Sequence, residues 1–418
     1  MVKKHLHTNS IPYGKQCVTQ ADIDAVTEVL KSDYLTQGPK IAEFEKAFAE
    51  YIGVKHAVAV ANGTAALHLC TLALDVKPGD KVITTPITFA ASANCVRYAG
   101  GEVVFADIDP ETYLLNINEV ERLLMAAPIG TYKGIIPVDF AGRAVDLEAF
   151  RKLADKFGCW IIEDACHAPG GHFEDTNGMK RYCGNGIFAE LAIFSFHPVK
   201  HIAAGEGGMI TTNDEDLYKK ILMLRTHGIT KESDNFQNSI ETALGENFET
   251  ITPSKTRAHK SEPENFPGWY YEMQVLGFNY RLTDFQAALG ISQLKRALNG
   301  LKRRREIATN YKSAFEGKSF IKGQSGLIDG HGYHLYIIEV DNRKGLYDHL
   351  HENNIFAQIH YVPVHLMPYY EKCGWKIGDF PNAEKYYKYC LSLPMYPTLA
   401  SNEQKFVIKT IEKYYDHD

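Results

Sequence analysis

Lys200 lies at the end of a run that is typical of a buried strand, a position where lysine is rarely found. It follows FAELAIF (188–194) within the stretch FSFHPVKHIAAGEGG (194–208), just before a Gly-Glu-Gly-Gly turn. An amine that is desolvated at such a strand end has a lowered pKa and can attack a carbonyl to form a Schiff base. The alternative is an ordinary lysine that extends from the turn into solvent.

A second strand end offers a phosphate site. In VANGTAALHL (60–69) an apolar run meets Asn-Gly-Thr and is followed by an Ala- and Leu-rich helix. The backbone N–H groups of Gly63, Thr64 and Ala65 would point off the N-terminus of that helix, where anions bind. Considered alone, the stretch is better explained as an ordinary capped turn. Neither G-x-x-x-x-G-K-[ST] nor an early G-x-G-x-x-G is present, which disfavours a nucleotide hydrolase and a dinucleotide enzyme.

A third strand end carries a carboxylate. The run CWIIEDACHA (159–168) is apolar up to Ile162, so Glu163 and Asp164 lie at the carboxyl end of the strand, where open α/β sheets bind ligands. Asp164 can pair with a protonated ring nitrogen, although a solvated turn carboxylate or a helix cap explains it equally well alone. An amine, a carboxylate and a phosphate anchor, to which the Ser195 hydroxyl would add, are what pyridoxal 5′-phosphate (PLP) requires from a protein. Their conjunction outweighs the separate alternatives and predicts this cofactor.

The elements around these residues predict an α/β fold with a mostly parallel sheet flanked by helices. Apolar runs alternate with helical patterns, the signature of βα units. A polar stretch at 230–268 interrupts the pattern and is interpreted as a long excursion or lid. The predicted strands are HAVAV (56–60), KVITT (81–85), VVFADI (103–108), GIIPV (134–138), CWIIED (159–164), LAIFSF (191–196), GMITT (208–212), LYIIEV (335–340) and FAQIHY (356–361).

Three parts of the chain follow from this pattern. We expect an N-terminal arm (1–20), a large cofactor-binding domain (21–282), and a long helix with a small C-terminal α/β domain (283–418). The long amphipathic helix is predicted over 283–311, and Asp22 is interpreted as the cap of the first helix.

The composition excludes several classes of protein. A net charge of -6 and an isoelectric point near 6.3 disfavour nucleic-acid binding. No apolar stretch approaches the roughly 20 residues of a membrane helix, and the polar start lacks the apolar region of a secretory signal. Eight scattered cysteines without a C-x-x-C pair and 17 dispersed histidines indicate a reduced, cytoplasmic protein without a metal site.

Six motifs along the chain resemble one family of enzymes. They are LTQGPKIAEFE, NGTAALHL, ITFAAS, IIEDACHA, FSFHPVK…GEGG and LGFNYRLTDFQAAL, and they appear in this order. From about residue 11 to the C-terminus the sequence resembles the DegT/DnrJ/EryC1/StrS sugar aminotransferases. The resemblance implies a PLP-dependent aminotransferase of fold type I that works as a homodimer with composite active sites.

The resemblance also implies roles for individual residues. Lys200 would carry the cofactor and Asp164 would pair with its pyridine nitrogen. Phe89 would stack on the ring, His167 would lie near the ring hydroxyl, and Asn279 would reach the cofactor phosphate of the neighbouring subunit. The implied cofactor-binding set is Gly63, Thr64, Ala65, Phe89, Asp164, His167, Ser195, Lys200 and Asn279. The implied substrate-binding set is Tyr13, Lys15, Gly38, Arg281 and Tyr361, with Lys15 and Arg281 near the diphosphate of a sugar nucleotide.

Within the family, the motifs IPYGKQ, KSDYLTQGPK and TTPITFAASAN are most similar to the pseudaminic-acid branch. This implies transfer of an amino group from glutamate to C4 of UDP-2-acetamido-2,6-dideoxy-β-L-arabino-hexos-4-ulose. The sequence departs from the family pattern at Asn62, which replaces a serine, at Ala203 and Ala204, and in the segments 172–190 and 230–268. The alternatives are a relative acting on another nucleotide-linked ketosugar, a sugar dehydratase, which would carry histidine at the lysine position, and a non-catalytic regulatory relative.

Overall fold

The computed structural model describes residues 10–245, 266–324 and 328–416. In chain order the strands are β1 (Ile11–Pro12), β2 (His56–Val60), β3 (Lys81–Thr84), β4 (Glu102–Phe105), β5 (Tyr132–Ile136), β6 (Trp160–Asp164), β7 (His172–Glu174), β8 (Lys180–Tyr182), β9 (Leu191–Ser195), β10 (Gly208–Thr212), β11 (Ile229–Thr230), β12 (Glu272–Met273), β13 (Ile321–Gln324), β14 (Tyr336–Val340), β15 (Ile355–Phe356) and β16 (Cys390–Leu393). The α-helices are α1 (Gln20–Leu30), α2 (Pro39–Ile52), α3 (Gly63–Ala73), α4 (Ala91–Tyr98), α5 (Ile117–Met125), α6 (Leu147–Phe157), α7 (Glu215–Arg225), α8 (Ile240–Leu244), α9 (Asp284–Leu294), α10 (Ala297–Phe315), α11 (Arg343–Glu352), α12 (Pro368–Glu371), α13 (Pro381–Tyr389) and α14 (Ser401–Tyr415).

A seven-stranded sheet, ordered β2-β10-β9-β6-β5-β3-β4, forms the centre of the molecule. Its strands β9, β6, β5, β3 and β4 are parallel, whereas β10 is antiparallel to both β2 and β9. Ile161 and Ile162 point to opposite faces and are both fully buried, because helices cover the two faces of such a sheet. The expected α/β fold with a mostly parallel sheet is confirmed. Parallel strands bring their carboxyl ends to one edge, where the three predicted chemical groups meet.

A smaller unit completes the fold. Its antiparallel sheet, β13-β14-β16, is covered by α11 and α14 around a buried core that includes Tyr311 and Tyr336. Leu335 and Tyr386 of this unit belong to the same hydrophobic core as the large sheet, so the two parts are packed together. β1 pairs with β15, which joins the N-terminal segment to the small unit. The domain boundaries inferred from the sequence stay a prediction.

The prediction of one continuous helix over 283–311 is wrong. The structure has two helices, α9 and α10, separated at Arg296, where φ of -111° and ψ of 2° are not helical. The Arg296 guanidinium bonds the buried carboxylate of Asp22 (Nη2–Oδ2, 2.5 Å), and this contact ties the end of α9 to α1. Asp22 itself does not precede α1 but is its third residue, in a capping box with Thr19.

The strand predicted over 356–361 is also shorter than expected. Ile355 and Phe356 pair with the two residues of β1, and of the remaining predicted residues Gln358 forms an isolated bridge with Ser392 of β16. Of the predicted excursion at 230–268, residues 246–265 lie outside the described residues, and the rest includes β11 and α8. Within the described ranges, no helix has the length and apolar character needed to span a membrane.

Candidate active site

A cavity of about 740 Å³ lies at the carboxyl edge of the central sheet. Its wall includes Asp164 and Ser195, the last residues of β6 and β9, and Thr88 and Val138, which follow β3 and β5. The carboxyl ends of parallel strands are where open α/β sheets bind ligands. The cavity therefore occupies the position that the strand pattern of the sequence predicted for the site.

Lys200 lines the cavity from the turn that follows β9. Its backbone N–H donates to His197 O at 2.9 Å, which fixes the turn. In the described part of the chain its amine has no hydrogen bond or ion pair. Burial lowers the pKa of Lys200, the carboxylate of Asp164 acts in the opposite direction, and the guanidinium of Arg304 adds to the lowering. The structure thus holds an uncommitted amine that reaches its neutral, nucleophilic form at a lower pH than an exposed lysine does.

The Asp164 carboxylate lies in the same cavity, held by two donors. Cys166 N–H donates to Oδ1 at 3.2 Å, and the Ser92 hydroxyl donates to Oδ2 at 2.7 Å. Ser92 is itself bonded to the Thr88 hydroxyl at 2.8 Å. No basic side chain of the described ranges forms an ion pair with Asp164, so its negative charge is available to a ligand cation.

Helix α3 supplies an anion site opposite these groups. Gly63 and Thr64 are its first two residues, whose N–H groups have no acceptor within the helix. Asn62 is the N-cap, and its Oδ1 accepts the Ala65 N–H at 2.8 Å. Ala65 lines the cavity, but its N–H is already bonded, so the cradle consists of the first two residues. A Cβ at Gly63 would lie 3.1 Å from the Cβ of Ser195, so glycine keeps this cradle open beside that hydroxyl.

Neutral histidines and a tyrosine form another part of the wall. His167 Nδ1 accepts the Ala141 N–H at 3.3 Å, so its Nε2 carries the proton and donates to Tyr361 Oη at 3.2 Å. Burial lowers the pKa of His167 well below its usual range, and the nearby Lys200 amine adds to this effect. His334 lies beside His167 with ring centroids 4.3 Å apart and the ring planes tilted by 36°. The Tyr361 hydroxyl hydrogen is consequently free to donate into the cavity.

The structure brings most of the predicted site residues together and leaves four apart. The cavity wall includes Tyr13, Gly63, Thr64, Ala65, Phe89, Asp164, His167, Ser195, Lys200 and Tyr361. Lys15 and Asn279 are exposed and are not part of this wall. Arg281 is half-buried and follows Tyr280, which is part of the wall. Gly38 is the N-cap of α2, where its N–H donates to Asp284 Oδ2 at 2.8 Å.

Sequence reasoning missed several residues of the wall. Asn62 was treated only as a departure from the family pattern, although an asparagine before Gly-Thr signals a helix cap. Ser92 lies on α4 four residues after Thr88, and only the fold reveals that it reaches Asp164. His334 and His360 come from the small unit, and no local pattern links them to the large sheet.

The residues present fit PLP. A free amine with a lowered pKa, an unpaired carboxylate and an open helix N-terminus border one cavity. The amine matches the aldehyde of that cofactor, the carboxylate matches its ring nitrogen, and the helix N-terminus matches its phosphate. The fold and the site together define a PLP-dependent aminotransferase.

The chain belongs to the DegT/DnrJ/EryC1/StrS aminotransferase family, whose sequence profile matches residues 16–412. The Bacillus subtilis spore coat polysaccharide biosynthesis protein SpsC is 39% identical, and the alignment covers 98% of each chain. A Campylobacter jejuni UDP-4-amino-4,6-dideoxy-N-acetyl-β-L-altrosamine transaminase is 36% identical over 96% of each chain. The solved structure of Helicobacter pylori PseC, an aminotransferase of pseudaminic acid biosynthesis, superposes with a TM-score of 0.82 at 29% identity, covering 98% of this chain and 100% of that one.

Proposed function

We propose that this aminotransferase moves an amino group from glutamate to C4 of UDP-2-acetamido-2,6-dideoxy-β-L-arabino-hexos-4-ulose, in pseudaminic acid biosynthesis. The observation that carries the reaction class is the single cavity that Lys200, Asp164 and the N-terminus of α3 share. The choice of sugar rests on the Campylobacter transaminase and on PseC, which are similar to this chain over almost their full length.

The chain's own groups have distinct tasks in this proposal. PLP, when bound, supplies a carbonyl that exchanges an amino group and a ring that withdraws electrons from the adjacent carbon. The neutral Nζ of Lys200 would hold the cofactor and would move protons at the reacting carbons. The carboxylate of Asp164 would keep a proton on the ring nitrogen, and the N–H groups of Gly63 and Thr64 would bind the phosphate.

The ketosugar would face the neutral polar part of the wall. Tyr13, His360 and Tyr361 border the cavity. Burial lowers the pKa of His360 to about 3, so this ring stays neutral at physiological pH and can bond to sugar hydroxyl or acetamido groups. Lys15 and Arg281 stay candidates for binding the diphosphate of the sugar nucleotide, and Gly38 stays a candidate for binding the substrate.

We assign the complete site to a homodimer. Phe89 and Tyr98 border the cavity but are 63% and 55% exposed, so the cavity is open on this side. Asn279 lies outside its own cavity, and the neighbouring Met273 and Leu276 are 63% and 79% exposed. An exposed apolar surface beside an open cavity fits a second copy that contributes Asn279 to the phosphate. We also propose a cytoplasmic location, which the eight unpaired cysteines support.

A second candidate is the same reaction on another nucleotide-linked ketosugar. SpsC, at 39% identity, favours this alternative because its name refers to a different polysaccharide. A dehydratase is disfavoured because the lysine is retained at position 200. A non-catalytic role is disfavoured because the amine, the carboxylate and the phosphate cradle are all present.

A substrate panel tests the proposal. Purified holoenzyme is incubated with glutamate and separately with UDP-, GDP- and dTDP-linked 4-ketosugars, and the amino sugar is identified by mass spectrometry and NMR. We expect turnover of the UDP-linked sugar at least tenfold faster than the others, and none with Lys200→Ala. Turnover of a different nucleotide sugar would select the second candidate, and bleaching of the cofactor by glutamate without any sugar product would refute both.

A further inference from the structure

Asp139 and Glu163 form a buried carboxyl pair behind Asp164. Their exposed fractions are 0% and 1%. One oxygen of each accepts a backbone N–H, from Val145 to Asp139 Oδ1 at 2.8 Å and from Gly184 to Glu163 Oε2 at 2.9 Å. The other two oxygens, Oδ2 and Oε1, have no N–H or O–H donor among the described residues, and beside Asp139 lies the Cys183 thiol, a weak donor. A buried carboxylate oxygen without a donor is costly and calls for a partner.

The Asp139 and Glu163 carboxyl groups are adjacent to each other and to the Cys183 thiol. A carboxyl oxygen of each residue and Sγ of Cys183 lie within 4.8 Å of one another, and the two carboxyl groups are hydrogen-bonding neighbours. The titratable groups that act on them are Cys183, Asp164 and Cys166, none of which carries a positive charge. Two adjacent buried carboxyl groups without a counter-charge cannot both ionise.

We propose that Asp139 and Glu163 share a single proton and act as one positioning unit that holds Asp164 and His167 at the cofactor site. The shared proton supplies the donor that both oxygens lack, and it reduces the charge of the pair to that of one carboxylate. Burial and the neighbouring carboxyl group raise the pKa of Glu163, and burial raises that of Asp139. The pKa of Glu163 is raised well above its usual range and agrees with a proton retained at neutral pH, whereas the pKa of Asp139, raised to about 6, agrees with Asp139 as the ionised member of the pair.

The pair closes a ring of contacts at the end of β6. Asp164 N–H donates to Pro137 O at 2.9 Å, and Asp139 N–H donates to Asp164 O at 3.0 Å. The side-chain hydrogen bond between Asp139 and Glu163, the residue next to Asp164, completes the ring. Loss of the shared proton would loosen the backbone that aims the Asp164 carboxylate into the cavity.

The turn that begins at Asp139 sets the tautomer of His167. Ala141 lies two residues after Asp139, has φ of 59°, and donates its N–H to His167 Nδ1. A non-glycine residue keeps this left-handed conformation only when its surroundings impose it. The carboxyl pair holds the start of this turn, so it acts on His167 without touching the cofactor.

Amide substitutions distinguish a shared proton from other states. In Glu163→Gln the amide oxygen can accept the Gly184 N–H while the NH2 group donates to Asp139, so the bond and the net charge survive. Asp139→Asn preserves the bond in the opposite direction. In the double variant two NH2 groups face each other without an acceptor. We expect both single variants to fold and bind PLP, and the double variant to lose far more stability than the sum of the single losses.

The pH dependence of stability is an independent readout. A carboxyl group whose pKa is raised by folding stabilises the fold below its unfolded pKa, and this contribution is lost as pH rises through the folded pKa. Relative to Glu163→Gln, we expect the wild-type unfolding constant to rise up to tenfold per pH unit above pH ~4.5. Thermal unfolding of holoenzyme at fixed chain and PLP concentrations measures this. Glu102→Gln, an exposed carboxylate on β4, should leave the wild-type slope unchanged.

The positioning role is tested by breaking the bond and restoring it. Glu163→Leu cannot form the bond to Asp139, so the pH at which the PLP absorbance of its holoenzyme changes by half should differ from that of wild type. Glu163→Gln keeps the bond and should show the wild-type midpoint. The proposal is overturned if the wild-type slope equals that of Glu163→Gln, if the double variant is merely additive, or if Glu163→Leu keeps the wild-type midpoint. It is also overturned if metal analysis finds one divalent cation per chain that either single variant loses, because the cluster would then be a metal site.

Discussion

The variant Asp164→Asn isolates the charge of the site from its hydrogen bonds. Oδ1 accepts the Cys166 N–H, and Oδ2 accepts the Ser92 hydroxyl. In the variant the amide oxygen can keep the first bond, and the NH2 group can donate to Ser92, which can in turn donate to Thr88. We therefore expect the fold and the cavity to persist, and only the negative charge opposite the ring nitrogen to be lost.

The expected losses of PLP affinity and of rate in Asp164→Asn depend on the groups that still bind the cofactor. A hydrogen bond to a charged group contributes about 1.5–3 kcal/mol, which corresponds to a loss of about 10- to 150-fold in PLP affinity. Lys200 and the N-terminus of α3 still hold the cofactor, so the loss should fall near the lower figure. Removing one preorganised electrostatic group from a proton-transfer step costs about 10²–10³ in rate. The rate should therefore fall more than the affinity.

Two measurements separate these effects. Equilibrium titration of the apoenzyme with PLP gives the affinity, and a single-turnover reaction with glutamate, followed by cofactor absorbance, gives the rate. Glu102→Gln is the control, because it removes the charge of an exposed carboxylate on β4 outside the cavity. An Asp164→Asn enzyme with a rate close to that of wild type would show that this carboxylate is structural, and the assigned role would be refuted.

Three further predictions concern the phosphate cradle, the subunit interface and the amine. Asn62→Ala removes the N-cap bond to Ala65, so it should cost about 1 kcal/mol of stability and weaken PLP binding; unchanged thermal unfolding and PLP titration would contradict this. Mixing Lys200→Ala with Asn279→Ala chains should restore activity, because each mixed dimer has one intact site; no recovery despite demonstrated subunit exchange would refute a shared site. In the apoenzyme, an amine reagent should modify Lys200 at a lower pH than it modifies exposed lysines, because the pKa of Lys200 is lowered. Mass spectrometry measures the rate of modification of each lysine against pH. The same pH midpoint for Lys200 as for exposed lysines would contradict a desolvated amine.

The central site was predictable because its chemistry lies at strand ends. Lys200, Asp164 and Gly63 each follow an apolar run, and parallel strands bring such ends to one edge of a sheet. Their joint position therefore required only the α/β pattern, without any knowledge of side-chain packing. The role of Ala65 was less predictable, because its N–H is taken by Asn62, a competition that depends on the local cap geometry.

Other features depend on tertiary contacts that no local pattern encodes. The break between α9 and α10 accompanies the bond from Arg296 to Asp22, and these residues are far apart in the sequence. His334 and His360 reach the cavity only because the small unit packs against the large sheet. Buried polar pairs such as Asp139 with Glu163 are equally hidden, because either residue alone would be read as a turn or strand-end carboxylate.

The most direct test of the account is to find which amine holds the cofactor. Borohydride reduction of the holoenzyme fixes PLP to that amine, and peptide mapping by mass spectrometry then locates it. We expect the label on the peptide that contains Lys200, and no label in Lys200→Ala reconstituted with PLP. A label on another lysine in the wild-type enzyme, or no label despite bound PLP, would contradict the assigned site.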